Sequence, residues 1–216
     1  MADTPLRNAA RATLARLKRP SDPPAHMVRR RGVELELALR GPVGTYNSVM
    51  RQGILADHVR AALALYPRAS HIEVTINSPG GTVKDAFEIY KMLRAHGAYI
   101  TTIADDLCAS AATIILMAGD LRQAWPESRL KIHCAATPET LLKRWTAAAL
   151  RRHAEITEMV DQRILEIYTT RCGSRAFFER ELSTEDYLPH IAARAFGVIH
   201  CYVGEEVWKN GRPYHF

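Results

Sequence analysis

From residue 33 hydrophobic and polar positions alternate one for one, Val-Glu-Leu-Glu-Leu-Ala-Leu, and the run stops at Gly41-Pro42. A period of two closed by turn residues predicts a strand with one buried face. Helical spacing follows over residues 49–65 and ends at Tyr66-Pro67. Residues 71–76 (His-Ile-Glu-Val-Thr-Ile) return to the period of two and are rich in β-branched side chains, which predicts a second strand. The chain then passes through Asn77-Ser78-Pro79-Gly80-Gly81 into a helical pattern over 84–96, a strand over 99–104 and an apolar helix over 109–118. A short strand is expected over 129–133 and a long helix over 138–168. Shorter helices over 176–181 and 189–196 precede a strand over 198–203. Strands alternating with helices of this length imply βαβ units and a mostly parallel sheet. The fold class is α/β.

Composition narrows the picture. Hydrophobic residues make up 47% of the 216 and charged residues 24%, the balance of one globular core. The longest apolar run, residues 107–119, contains Ser110 and is too short to span a bilayer, so no membrane association is expected. Cys108, Cys134, Cys172 and Cys201 form no C-x-x-C pair, which disfavours a zinc site or a disulfide scaffold. No secretory apolar region follows Met1, and the expected location is cytoplasmic.

The net charge of +6 is uneven: residues 1–31 carry eight Lys/Arg against Asp3 and Asp22, and the remainder balances. Those residues read as a basic arm with a helix over 5–18, broken by Pro20, Pro23 and Pro24. Residues 32–216 read as a single domain. The arm is expected to be a mobile terminus, with contact to a partner or a transit role as alternatives. No nucleic-acid partner is expected.

Three features fall where such a sheet places chemistry. Gly80 and Gly81, directly after a strand, allow close backbone approach and present bare N–H groups. The turn lacks the Gly-Lys-Ser/Thr ending of a phosphate loop, so the chain is not expected to hydrolyse ATP. Ser110 heads an apolar helix, where free N–H groups favour developing negative charge. His133 closes the next strand. Taken singly, each reads as easily as a turn, a helix cap and a structural histidine.

In order, Asn77-Ser-Pro-Gly-Gly81, Cys108-Ala-Ser110-Ala-Ala and Trp125-Pro-Glu-Ser-Arg-Leu-Lys-Ile-His133 resemble the proteolytic subunit family of the Clp ATP-dependent protease. The resemblance spans about residues 33–203, with Arg152-His-Ala-Glu-Ile and Tyr168-Thr-Thr-Arg-Cys-Gly173 similar to the family's handle helix. It implies a Clp-protease/crotonase-like fold of stacked ββα units with a long protruding handle helix. It implies a serine endopeptidase with Ser110 as nucleophile, His133 as general base, and the N–H groups of Gly81 and Ala111 as oxyanion hole. Gly80, Thr82 and Val83 would bind substrate backbone as an added strand. The implied partners are unfolded polypeptides, a Clp-type AAA+ unfoldase ATPase, and further copies or a paralogue in a ring. No cofactor and no metal are implied.

Departures from the family pattern mark a divergent member. The position of the triad acid falls on Glu185, with Asp186 adjacent, so either can orient His133. Asp105 and Asp106 look buried close to Ser110, Cys134-Ala135 replaces the usual Gln-Pro, and the handle's glycine-rich stretch is replaced by residues 136–140. These departures keep open a catalytically silent ring subunit with an assembly or regulatory role. An acyl-CoA hydratase or isomerase on the related fold is disfavoured, because such enzymes need no serine nucleophile.

Overall fold

The computed structural model describes residues 27–31, 34–47, 50, 52–136, 145–205, 208–209 and 212–213. The expected arm helix over 5–18 and the segment 137–144 lie outside the described residues. Strands β1 (Val28–Arg31), β2 (Glu34–Arg40), β3 (His71–Ser78), β4 (Tyr99–Ala109), β5 (Leu121–Ala124) and β7 (Cys201–Tyr202) line up in the order β1-β2-β3-β4-β5-β7. Strand β6 (Arg129–Lys131) pairs with β4 off that path. Every pairing is parallel except β1 with β2, which confirms the mostly parallel sheet. A separate hairpin joins β8 (Trp208–Lys209) and β9 (Arg212–Pro213).

The alternation read from sequence is the register observed. Leu35, Leu37 and Leu39 of β2 and Ile72, Val74 and Ile76 of β3 are all buried, and Leu35 pairs with Ile72. Each such side chain contributes about 1.5–3 kcal/mol of burial. Helices α1 (Ala56–Leu65) and α2 (Val83–Ala95) bury Val59 and Leu63, and Ile89 and Leu93, in the core. The short α3 (Ala111–Leu116) is buried along its whole length. The α4 helix (Ala147–Cys172) buries Ile164, Leu165 and Tyr168 in its second half, while Leu150, Ile156 and Met159 are exposed in its first half. Helices α5 (Arg175–Leu182) and α6 (His190–Ala195) complete the body.

The long helix, expected over 138–168, runs Ala147–Cys172, and the last strand, expected over 198–203, is Cys201–Tyr202. Four further differences from the sequence reading each have a physical reason. Of the arm expected over residues 1–31, the last five belong to the fold: Met27 is buried and Val28–Arg31 form the antiparallel edge strand β1. An Arg-rich edge strand carries no period-two signature. The helix expected over 49–65 begins at Ala56, because Asn47 and Gln52 pair antiparallel and Ile54 bridges Val43. Strand β4 runs to Ala109 because its register shifts: Ile76 pairs with Ala104, but Ser78 pairs with Cys108. The extra residues leave Asp105 half-buried and carry Asp106 outward, correcting their expected burial, and the two pair with Arg40 (3.3 Å) and Arg129 (3.2 Å). Strand β5 was hidden by a charged residue in its middle. The buried Arg122 guanidinium donates to the carbonyls of Val198 (3.1 Å), Gly119 (3.0 Å) and Gly197 (2.6 Å), so a cation stands where an apolar residue is expected.

That arginine also sets a pH response. His200 Nδ1 accepts from the Arg122 backbone N–H (3.1 Å), and Arg122 Nη2 lies 2.9 Å from Nε2. Burial of part of the ring and the Arg122 and Arg171 charges lower its pKa from 6.5 to about 4. The unfolded chain therefore binds the proton first: this stabilisation is complete above about pH 6.5 and disappears as pH falls through 4. Solvent on the ring's exposed side screens the shift, leaving about 1 kcal/mol. Urea unfolding at pH 7 and pH 4 is expected to show that difference, and His200→Gln to remove it. An unchanged pH dependence in the variant would refute the assignment.

Candidate active site

The β-bulge in β4 builds the site. Before it, Thr101–Ala104 pair with β5; after it, Leu107–Ala109 pair with β6. Strand β4 therefore ends beside β6, and the chain turns at Ser110 into α3. Ser110 has φ 55° and ψ −130°, and among the described residues it is the one non-glycine with positive φ. Such a backbone costs about 1–3 kcal/mol and persists only where its surroundings enforce it. Ser110 N–H donates to Lys131 O of β6 (2.8 Å), while Ser110 O accepts from Thr113 N–H (2.9 Å) and Thr113 Oγ1 (2.6 Å). Thr113 Oγ1 in turn meets the buried Tyr168 hydroxyl at 2.5 Å, tying the elbow to α4. A strained serine between strand and helix carries its hydroxyl clear of its own backbone.

The Gly80-Gly81 turn packs against this elbow. Ser78 Oγ accepts from Gly80 N–H (3.1 Å) and is fully buried. A Cβ on Gly80 would lie 2.7 Å from Ser110 Cβ and 3.0 Å from Ala111 N, so the two turns meet backbone to backbone. Val43 N–H donates to Gly80 O (2.8 Å) and Thr82 N–H to Val43 O (2.9 Å), which makes Gly81 the central residue of a parallel bridge. The N–H of a residue so flanked points away from the bridging strand. Ala111, first residue of α3, has no intrahelical acceptor for its own N–H. Of the expected substrate-binding residues, Thr82 has its N–H taken by Val43 and its hydroxyl by Asp85 (2.7 Å), and Val83 opens α2.

His133 follows β6 and is half-buried. The register Ala109 to Lys131 puts Ser110 and His133 just past the ends of adjacent parallel strands. Ile132 is buried on one side of His133, and on the other Cys134 N–H donates to Leu182 O (2.8 Å). Ala135 N–H donates to Asp161 Oδ1 of α4 (2.7 Å).

The two candidate acids lie on the segment after α5, which Leu188 N–H anchors to Leu130 O (2.7 Å). Glu185 Oε2 is 2.7 Å from Lys131 Nζ, and that hydrogen bond and charge, with a smaller contribution from His133, hold its carboxyl below the usual range. Asp186 is exposed beside it. Among the described residues, neither carboxylate is hydrogen-bonded to His133. No cluster of His, Cys, Asp and Glu suited to a metal occurs among the described residues. Nor is any of their helices long and apolar enough to cross a membrane.

Sequence reasoning missed Thr113, Tyr168, Lys131 and Asp161. Thr113 sits on a helix read simply as apolar, and Tyr168 was read only as part of the long helix. Asp161 had a signal, an acid one residue after Val160 on a helix whose next residues turn into the core.

The chain has relatives. The ATP-dependent Clp protease proteolytic subunit of Pleurastrum terricola is 28% identical over 136 residues, 62% of this chain and 67% of that one. The protein of the same name from Pinus contorta is 28% identical over 127 residues, 57% of this chain and 60% of that one. Subunit 1 from Chlamydia abortus is 28% identical over 131 residues, 59% of this chain and 67% of that one. The chain thus spans about 60% to two thirds of the length of these curated relatives. In structure, a mutant of ClpP1 from Listeria monocytogenes superposes with a TM-score of 0.62 at 20% identity, covering 79% of this chain and 91% of that one, and shows the same fold. Since the Clp protease family model runs from residue 46 to residue 205, most of the chain and the segments that carry Gly80, Gly81, Ser110 and His133, the chain belongs to the Clp protease family.

Proposed function

We propose that this chain is a serine endopeptidase subunit of Clp type, cleaving unfolded polypeptides fed to it by a separate AAA+ ATPase. The observation that carries the reading is the strained Ser110 elbow, pinned to Lys131 O beside the strand that leads to His133. Ser110 Oγ attacks the scissile carbonyl while His133 takes its proton, and the same imidazole returns a proton to the leaving amine. Water then releases the acyl group by the reverse sequence. Gly81 and Ala111 N–H groups stabilise the oxyanion, each worth about 100- to 1000-fold. The exposed Leu150, Ile156 and Met159 along α4 support assembly with further copies or a paralogue, because one chain leaves them uncovered.

Glu185 is the acid favoured for orienting His133. Solvent screens the Lys131–Glu185 pair on its exposed Glu185 side, so the carboxylate is free to swing towards an imidazolium when one forms. The same contact favours a second reading, a silent ring subunit whose acid is held by Lys131. A fluorophosphonate probe, with the adduct mapped by peptide mass spectrometry on the assembled protein, separates the two. Peptidase function predicts an adduct on Ser110; an unmodified Ser110 in the assembled protein supports the silent subunit.

A further inference from the structure

We propose that Asp161 is a positioning residue for the general base: its carboxylate fixes the backbone that carries His133 through the Ala135 N–H. This rests on the peptidase reading for its catalytic consequence, but the contact stands on geometry alone. Asp161 lies on α4 where the helix turns from its exposed half to its buried half, one turn before Ile164 and Leu165. Its Oδ1 accepts from Ala135 N–H at 2.7 Å across 26 residues of sequence, a part-buried, charge-assisted bond. The Cys134 thiol shares this environment: burial raises its pKa, and the Asp161 charge and hydrogen bond raise it further. With Cys134 N–H already donating to Leu182 O, both residues after His133 have their amides tied to helical elements.

The Asp161 carboxylate thus bonds both residues that follow His133, the Cys134 thiol and the Ala135 N–H, and position 135 explains why the role is needed. A proline there would hold its own φ and present no N–H. Alanine leaves a free torsion and a part-buried donor that needs an acceptor. Asp161 supplies both the acceptor and the restraint. It acts through the backbone, so an uncharged acceptor of the same shape should serve almost as well. A triad acid works by charge on the imidazolium and would lose its effect in the amide.

The test compares Asp161→Ala with Asp161→Asn. Asp161→Ala is expected to slow Ser110 phosphonylation, and kcat on a peptide reporter, about 10- to 100-fold with KM little changed. Asp161→Asn is expected to stay within about threefold of the parent. In an Ala135→Pro background, where the N–H is gone, Asp161→Ala should cost no more than about threefold. A full rate in Asp161→Ala, or an Asp161→Asn loss as deep as that of alanine, overturns the proposal. Amide hydrogen exchange at Ala135 decides it without any activity. Faster exchange in Asp161→Ala but not in Asp161→Asn supports the contact, and unchanged exchange in both overturns it. If the parent itself forms no adduct, the peptidase reading has failed, while the exchange result still judges Asp161.

Discussion

Peptide hydrolysis by the assembled protein is expected to fall by about six orders of magnitude when Ser110 or His133 is replaced by alanine, and no further when both are. The non-additivity is the informative part. Serine hydroxyl is a poor nucleophile without a base in reach, and a base without the nucleophile has nothing to deprotonate, so either loss removes the same step. What remains is the rate supplied by binding and by the Gly81 and Ala111 donors, about 10³–10⁴ over water. Effects of the two replacements that multiply instead would mean that they do not act as one unit. The acid is read in the same series. Glu185→Gln keeps the shape and removes the charge that orients and stabilises the imidazolium, which costs about 10⁴-fold in triads of this kind. A loss of that size in Asp186→Asn, with Glu185→Gln mild, would transfer the role to Asp186. The measurement is kcat/KM on a fluorogenic peptide, taken alongside thermal unfolding to exclude damaged protein.

The fold could be read from the sequence where one face of an element is buried and the other is not. Strands β2 and β3 announce themselves because Leu35, Leu37 and Leu39 alternate with polar positions in register with Ile72, Val74 and Ile76. Strand β5 could not be read that way. Its Arg122 is buried by virtue of carbonyls that include Gly197 and Val198, 75 and 76 residues away, which no local window contains. The β4 bulge was equally invisible, and with it the outward turn of Asp106, because a register shift is a property of two strands. For the site, the motif order pointed to Ser110 and His133, and both lie at strand ends that a parallel sheet brings to one edge. The identity of the acid was harder. Glu185 and Asp186 stand on an exposed segment between Thr184, whose N–H donates to Glu181 O, and Leu188, whose N–H donates to Leu130 O, and one residue of slack exchanges them. The supports were hardest of all: Tyr168 to Thr113 and Asp161 to Ala135 join positions 55 and 26 residues apart.

Gly80→Ala should cost about 100-fold in the rate of Ser110 modification and about 2–4 kcal/mol in stability. Two effects add. The residue has φ +93°, where a side chain is strained in any surroundings. Its new Cβ would also come within 2.6 Å of Ala109 O, 2.7 Å of Ser110 Cβ and 3.0 Å of Ala111 N, atoms of the elbow that cannot rotate aside as a flexible side chain would. Relief therefore requires the elbow to move, and the elbow holds both the proposed nucleophile, Ser110, and the proposed oxyanion donor, Ala111. A displacement of about 1 Å is enough for a 100-fold loss. Gly97→Ala separates the two effects. Gly97 also has positive φ, at +50°, but nothing lies within 4 Å of its would-be Cβ. Only backbone strain is introduced there, about 1 kcal/mol, and the rate should not change. Stability curves and labelling rates for the two variants measure the difference directly. If Gly80→Ala proves no worse than Gly97→Ala, the elbow tolerates the methyl, and close packing of the glycine turn is not what holds Ser110 in its strained backbone.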